Sequence, residues 1–313
     1  MSRMNLYELL NLKEYRKKYH IPHALLDDYK VGYDGKIYVL MSTDKDKYRK
    51  GRMSRNFQYH FFRITFDWDK NVVTEVERFD FGNWDKCVHH WCPFGENFLL
   101  VNARASTKSK EPNAYIVNKE GDILKSIFLG DGINHCYTTP DGKIINGYLD
   151  EGIFNENNEG AETGLSIWDG DGNCVCKNQK YDIWHCYGLT LDPRNHIWFQ
   201  YYGHDKNNSN KHMFHLVCLR EDGDWYFDQE FNGSRGCAIS YDYTKIALGG
   251  GHGDHGSVYL YDMDTVNQTL SNKRKLGFKL NNKLVTGRRL YTLSEDVIFI
   301  LMENGTLAIG KLK

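Results

Sequence analysis

Short runs rich in β-branched and aromatic residues recur along the chain, each bounded by turn-forming residues. Lys36–Leu40, Asn97–Val101, Lys143–Ile145, His196–Gln200, Lys245–Leu248 and Asp296–Leu301 are of this kind. Runs of this composition between turn signals read as strands. The turns form two interleaved series. One is Asp34-Gly35-Lys36, Gly95-Glu96-Asn97, Asp141-Gly142-Lys143, Pro193-Arg194-Asn195, Asp242-Tyr243-Thr244 and Ser294-Glu295-Asp296. The other is Asp69-Lys70-Asn71, Glu120-Gly121-Asp122, Asp171-Gly172-Asn173, Asp222-Gly223-Asp224, Asp262-Met263-Asp264 and Glu303-Asn304-Gly305.

Each series repeats roughly every 50 residues, a period that marks a radial repeat architecture. Each period then holds two hairpin turns and four strands. One four-stranded sheet does not bury both of its faces, whereas sheets stacked radially do, and the ring leaves few exposed edges. The expectation is an all-β fold, a six-bladed β-propeller of four-stranded antiparallel blades at 23–80, 81–130, 131–180, 181–232, 233–280 and 281–313. The last blade has room for about three strands. It either stays three-stranded or borrows one from the N-terminal region.

Residues 4–19 carry a different pattern. Leu6, Leu9, Leu10 and Leu12 with Tyr15 and Tyr19 lie near one helical face, with charged residues between, Asn5 as a candidate N-cap and Pro22 beyond the end. This predicts a short N-terminal amphipathic helix and two units, a helical segment 1–22 and the propeller 23–313. The helix packs on one end of the propeller or serves a partner or a membrane surface.

Composition narrows the function. The chain has 313 residues, 40 Lys and Arg against 41 Asp and Glu, and a net charge of -1. This balance argues against a large nonspecific nucleic-acid surface or a polybasic membrane patch, though a local patch is compatible with it. No apolar run approaches a membrane span, and the opening residues lack a secretory signal pattern. Eight dispersed cysteines then read as free thiols in a reducing cytoplasm. The basic stretch 41–57 reads as an insertion within the first blade, and Gly249–Gly256 as a connector or lid.

In a propeller, the start of each innermost strand and the end of the next strand share one face. Aligned on the first turn series, His90 matches His135, and the next blade offers Tyr187 with His185 two residues earlier, on the same side of a strand. The fifth blade has Arg235 there. The strand ends on this face add Arg104, Asp150, Glu151, Tyr202 and His252. Three readings stay open. His90, His135, His185 and Asp150 are acceptable ligands for a divalent metal, with Glu151 as general base of a metal-dependent hydrolase or lyase. The same face, without metal, is a pocket for a small polar ligand or a partner's loop, lined by His90, Arg104, His135, Asp150, His185, Tyr202, Arg235 and His252. Or the histidines line a channel and bond to carbonyls and water, with Asp150-Glu151-Gly152 a turn that uses its glycine for a positive φ.

Several elements resemble an uncharacterised family of bacterial six-bladed β-propeller proteins: Leu129-Gly130-Asp131-Gly132-Ile133-Asn134-His135, Gly147-Tyr148-Leu149-Asp150-Glu151-Gly152, Gly164-Leu165-Ser166-Ile167-Trp168-Asp169, Trp184-His185-Cys186-Tyr187-Gly188 and Arg235-Gly236-Cys237-Ala238-Ile239. The resemblance covers the middle two thirds of the chain. It implies the fold and no activity.

Overall fold

The computed structural model describes residues 2–313 apart from 44–57, 83, 85, 206–207, 232–235, 252–253, 255 and 288. Residues 44–57 of the basic stretch, Arg235 and His252 therefore lie outside the described residues, while Met41 and Ser42 at its start belong to the second strand of the first sheet.

After β1 (Ser2–Asn11) and α1 (Leu12–Lys18), the chain builds one antiparallel four-stranded sheet after another. The first is β2 (Leu25–Val31), β3 (Ile37–Ser42), β4 (Tyr59–Asp67) and β5 (Val72–Phe79). The second is β6 (His90–Phe94), β7 (Asn97–Val101), β8 (Ala114–Val117) and β9 (Ile123–Ile127). The third is β10 (Ile133–Thr138), β11 (Ile144–Tyr148), β12 (Leu165–Trp168) and β13 (Cys174–Lys177), with the single-turn helix α2 (Asp150–Ile153) between β11 and β12. The fourth is β14 (Ile183–Leu191), β15 (Ile197–Asp205), β16 (Asn208–Leu219) and β17 (Trp225–Phe231).

The remaining strands belong to a nine-stranded sheet. It contains β18 (Cys237–Ile239), β19 (Lys245–Gly249), β20 (Val258–Asp264) and β21 (Thr269–Leu280), with β22 (Lys283–Leu284) beside β21. It also contains β23 (Arg289–Ser294), β24 (Val297–Met302) and β25 (Thr306–Lys311), and β1 joins the two halves. The first strands adjoin in succession, β6 to β10, β10 to β14, β14 to β18 and β18 to β23, and β23 returns to β2. This closed ring of radial sheets is a β-propeller.

Middle strands are sandwiched between neighbouring sheets. Every residue of β3, β8 and β11 is buried, which explains their continuous apolar runs. The hairpin between the first two strands of a sheet needs a left-handed residue, and glycine supplies it at Gly35 and Gly142. Asn195, Tyr243 and Glu295 hold the same conformation at the matching positions of later sheets.

The N-terminal segment corrects the expected helix. Residues 2–11 are a strand, and only 12–18 are helical, capped by Asn11, whose Oδ1 accepts from the Lys13 amide at 3.0 Å. β1 pairs in parallel with β21, Ser2 opposite Leu276 through Leu6 opposite Leu280, then antiparallel with β25, Tyr7 opposite Ile309 through Asn11 opposite Thr306. Residues 2–11 are thus woven into the ring and supply the strand that the last sheet lacks. A bulge between Glu8 and Leu10 resets the strand alternation, so Leu6, Leu9 and Leu10 are all buried. Their three- and four-residue spacing imitates a helical face. The hairpin expected at Asp262–Asp264 also falls slightly later, between Asp264 and Thr269.

Candidate functional site

Three first strands place polar side chains at one height along the axis: Asp28 on β2, His90 on β6 and His135 on β10. Their cross-strand partners, Leu40, Val101 and Gly147, stand at nearly equal distances from the hairpin turn. Two residues further along each strand come Lys30, Cys92 and Tyr137, which alternation turns to the same side.

Lys30 is buried, at 4% exposure. Its Nζ lies 2.9 Å from Asp28 Oδ2 and donates to the Cys136 carbonyl at 3.0 Å, with the Tyr137 ring centroid 5.2 Å away. Tyr137 and Ser294 share a hydroxyl–hydroxyl bond of 3.2 Å, and Ser294 Oγ accepts from the Val31 amide. Side chains from several sheets therefore fill the axis at this depth. Burial alone would raise the Asp28 pKa, but the Lys30 charge and then His90 outweigh it and hold the carboxyl well below its usual range. Burial would likewise favour neutral Lys30, and the Asp28 carboxylate reverses that.

The two predicted histidines sit within this plug. His90 Nδ1 is 3.5 Å from Asp28 Oδ2, without a well-directed hydrogen bond. Burial, then the Lys30 charge, keeps its pKa below the ordinary imidazole value. His135 Nε2 donates to the Tyr187 carbonyl at 3.0 Å. Burial is the largest cause of its depressed pKa, about 3. Both are neutral imidazoles near pH 7.

The other predicted residues lie at the mouth above. His185 Nδ1 is 3.4 Å from Asp150 Oδ1, and its ring stacks on Tyr187 with centroids 4.0 Å apart. Glu151 pairs with Arg104, whose Nε also lies 3.1 Å from Asp131 Oδ1. Tyr202, opposite His185 in the β14–β15 ladder, packs against Phe214 at 5.0 Å. Asp150 and Glu151 are mostly exposed, at 59% and 64%.

The loop beneath the two carboxylates is closely fitted. A Cβ on Gly152 would fall 2.3 Å from the Asp131 carbonyl oxygen. Gly152 lacks the positive φ expected of it and is small because α2 lies against the 130–132 backbone. Buried Asn158 clamps both segments, donating to the carbonyls of Asp131 at 3.0 Å and Gly152 at 2.6 Å while accepting from the Asp131 amide.

The structure brings His185, Asp150, Glu151, Arg104 and Tyr202 to one mouth and sets His90 and His135 deeper. It does not assemble His90, His135, His185 and Asp150 around one point: His90 turns to Asp28, His135 to a carbonyl and His185 to Asp150. Among the described residues no group of three or more His, Cys, Asp or Glu side chains is arranged to hold a metal.

Sequence reasoning missed part of the mouth. Trp184 is edge-on to Phe154 at 6.2 Å and to Tyr202 at 6.4 Å, and close to His204 and His212 at 4.7 and 4.6 Å. His204 also pairs with Asp182. Phe154 is 64% exposed. The signal lay in strand pairing: His204 and His212 are cross-strand partners on β15 and β16, and which residues face each other is not written in either strand alone. Lys30 was legible only as the charge two residues after Asp28 in a first strand.

No protein-family profile matches the chain, and no curated protein matches it either. Solved structures do. A chain of the mitotic checkpoint complex superposes with TM-score 0.51 at 8% identity, covering 99% of this chain and 93% of that one. A chain in the complex of KlAtg21 with the coiled-coil of AgAtg16 gives 0.50 at 10%, covering 92% and 81%. Kuenenia stuttgartiensis hydrazine synthase gives 0.50 at 8%, covering 93% and 96%. At such identities the likeness shows the fold alone.

Proposed function

We propose that the chain is a six-bladed β-propeller acting as a binding protein, with 2–313 as one unit. In this reading the mouth around Trp184, His185 and Glu151 takes a polyhydroxylated ligand, a sugar or a sugar-bearing molecule free or carried on a partner protein. The observation that carries it is an accessible aromatic surface flanked by carboxylates and imidazoles. Phe154 and Trp184 offer faces for the apolar side of a sugar ring, while Asp150, Glu151, His185 and Arg104 offer acceptors and donors for its hydroxyls. Binding sites characteristically combine an apolar lining with a few placed polar groups. Counting β1 as the fourth strand beside β23–β25 divides the nine-stranded sheet into two blades and supports the count of six. All eight cysteines are free and six of them are buried, which supports a reducing, cytoplasmic setting.

A glycan array probed with the purified protein and with Trp184→Ala tests this reading. Retention of a defined glycan class by the wild type, lost in the folded variant, is expected. Equal retention by both, or none by the wild type, would overturn it.

A further inference from the structure

At the end of the ring opposite this mouth, near the hairpin turns of the last two first-strands, a cleft of about 300 Å³ opens where β1 meets β21 and β25. That volume suits a small molecule. Among the described residues four cations line it, Arg3, Lys245, Lys311 and Lys313, together with Trp68 and Asn71, and no Asp or Glu. In a chain whose acids and bases almost cancel, such a one-signed lining is a local departure.

Two neighbouring acids are already engaged. Asp296 lies 3.1 Å from Lys311 and compensates it. Asp262, opposite Lys245 in the β19–β20 ladder, pairs with Arg274. Lys245 Nζ donates to a Lys313 backbone oxygen at 3.1 Å, which holds the ammonium at the cleft. Lys311 reaches over the Trp68 ring at 5.4 Å, so one wall is aromatic beside positive charge. Leucines from β20 and β21 close the floor.

We infer that this cleft binds a small phosphorylated molecule bearing a planar ring. Arg3 and Lys245 hold the phosphate, Arg3 through the forked geometry that suits phosphate oxygens, and the ring lies against Trp68. Because the cleft spans the seam where the ring closes, occupancy also fastens the closure.

The test is thermal unfolding and isothermal titration at constant ionic strength with adenosine diphosphate, inorganic pyrophosphate and adenosine as probes. Saturable binding is expected for adenosine diphosphate, weaker binding for pyrophosphate and none for adenosine. Arg3→Ala/Lys245→Ala should weaken adenosine diphosphate at least tenfold. Trp68→Leu should weaken it while leaving pyrophosphate unchanged. Lys245→Gln, which spares β1, serves if the double variant does not fold. Unchanged affinity in the cation variants, an equal response to potassium sulfate, or no saturable response to adenosine diphosphate would overturn the proposal. Equal binding of adenosine diphosphate and pyrophosphate, insensitive to Trp68→Leu, would overturn its ring component.

Discussion

Asp28 and Lys30, two positions apart on β2, meet in a buried ion pair of 2.9 Å on the propeller axis. Pairs of this kind are costly to break from one side, because the surviving charge stays buried without its partner. Asp28→Asn or Lys30→Met alone should lower unfolding free energy by about 3–5 kcal/mol. The double variant should lose much less than the sum, a coupling that chemical denaturation in a double-mutant cycle measures. Additive losses would show that the two charges stand independently.

The buried histidines make the fold sensitive to acid. His60 and His135 have pKa values of about 4 and about 3, each depressed chiefly by burial, and His90 is shifted the same way. An unfolded imidazole takes its proton near pH 6.5 while these folded ones refuse it. The contributions of His60 and His135 are therefore complete above about pH 6.5 and lost as pH falls toward 3–4, by about 1.4 kcal/mol per pH unit for each of the two, and His90 acts in the same direction. His135→Gln, whose amide can still donate to the Tyr187 carbonyl, should reduce the slope of stability against pH between 6 and 4 by about one proton. An unchanged slope would contradict the assignment.

Glu295 works in the opposite sense. Burial, then the neighbouring Asp296 charge, raises its carboxyl to about 8, and its φ is 58° in the β23–β24 turn. With the folded pKa above the unfolded one, its contribution is full below about pH 4.3 and is lost as pH rises toward 8. Glu295→Gly removes the carboxylate and suits the left-handed backbone. It should stabilise the protein by about 1–2 kcal/mol at pH 8 and less at pH 5. Thermal melts at the two pH values decide this, and destabilisation at pH 8 would contradict it.

β1 closes the ring, so its removal should be severe. Deleting residues 2–11 strips the partner strand from both β21 and β25 and removes buried Leu6, Leu9 and Leu10. Loss of cooperative unfolding is expected. The milder Leu6→Ala should cost about 2–5 kcal/mol. A truncated chain that melts like the full one would show that β1 is an accessory.

The strand-and-turn repeat was legible because its signals are local. A turn residue, a period of two and an apolar run each declare themselves within a few positions. β1 was misread because its bulge shifts the buried side by one residue and makes Leu6, Leu9 and Leu10 look helical. The mouth was legible in part. Counting from the hairpin turn placed His90, His135, His185 and Tyr202 along their strands and Asp150 just past the end of β11, where α2 begins. Depth was not legible, since whether His135 meets a ligand or the Tyr187 carbonyl depends on a neighbouring sheet. The Gly130-Asp131-Gly132 and Asp150-Glu151-Gly152 elements stood out separately, and only folding shows that they pack on each other through Gly152 and Asn158.

That packing makes Gly152→Ala a test of the mouth's support. The added methyl would press on the Asp131 carbonyl, so α2 should shift and carry Asp150 and Glu151 away from His185 and Arg104. A folded protein, destabilised by about 1–3 kcal/mol, with at least a tenfold loss of glycan affinity is expected. Unimpaired binding would show that the two carboxylates take no part.

The most direct measurement is hydroxyl-radical footprinting of the protein with and without the glycan retained on the array. Protection concentrated at Phe154, Trp184 and Tyr202, with Trp68 unaffected, is the expected result. Protection elsewhere, or none at these rings under saturating glycan, would contradict it.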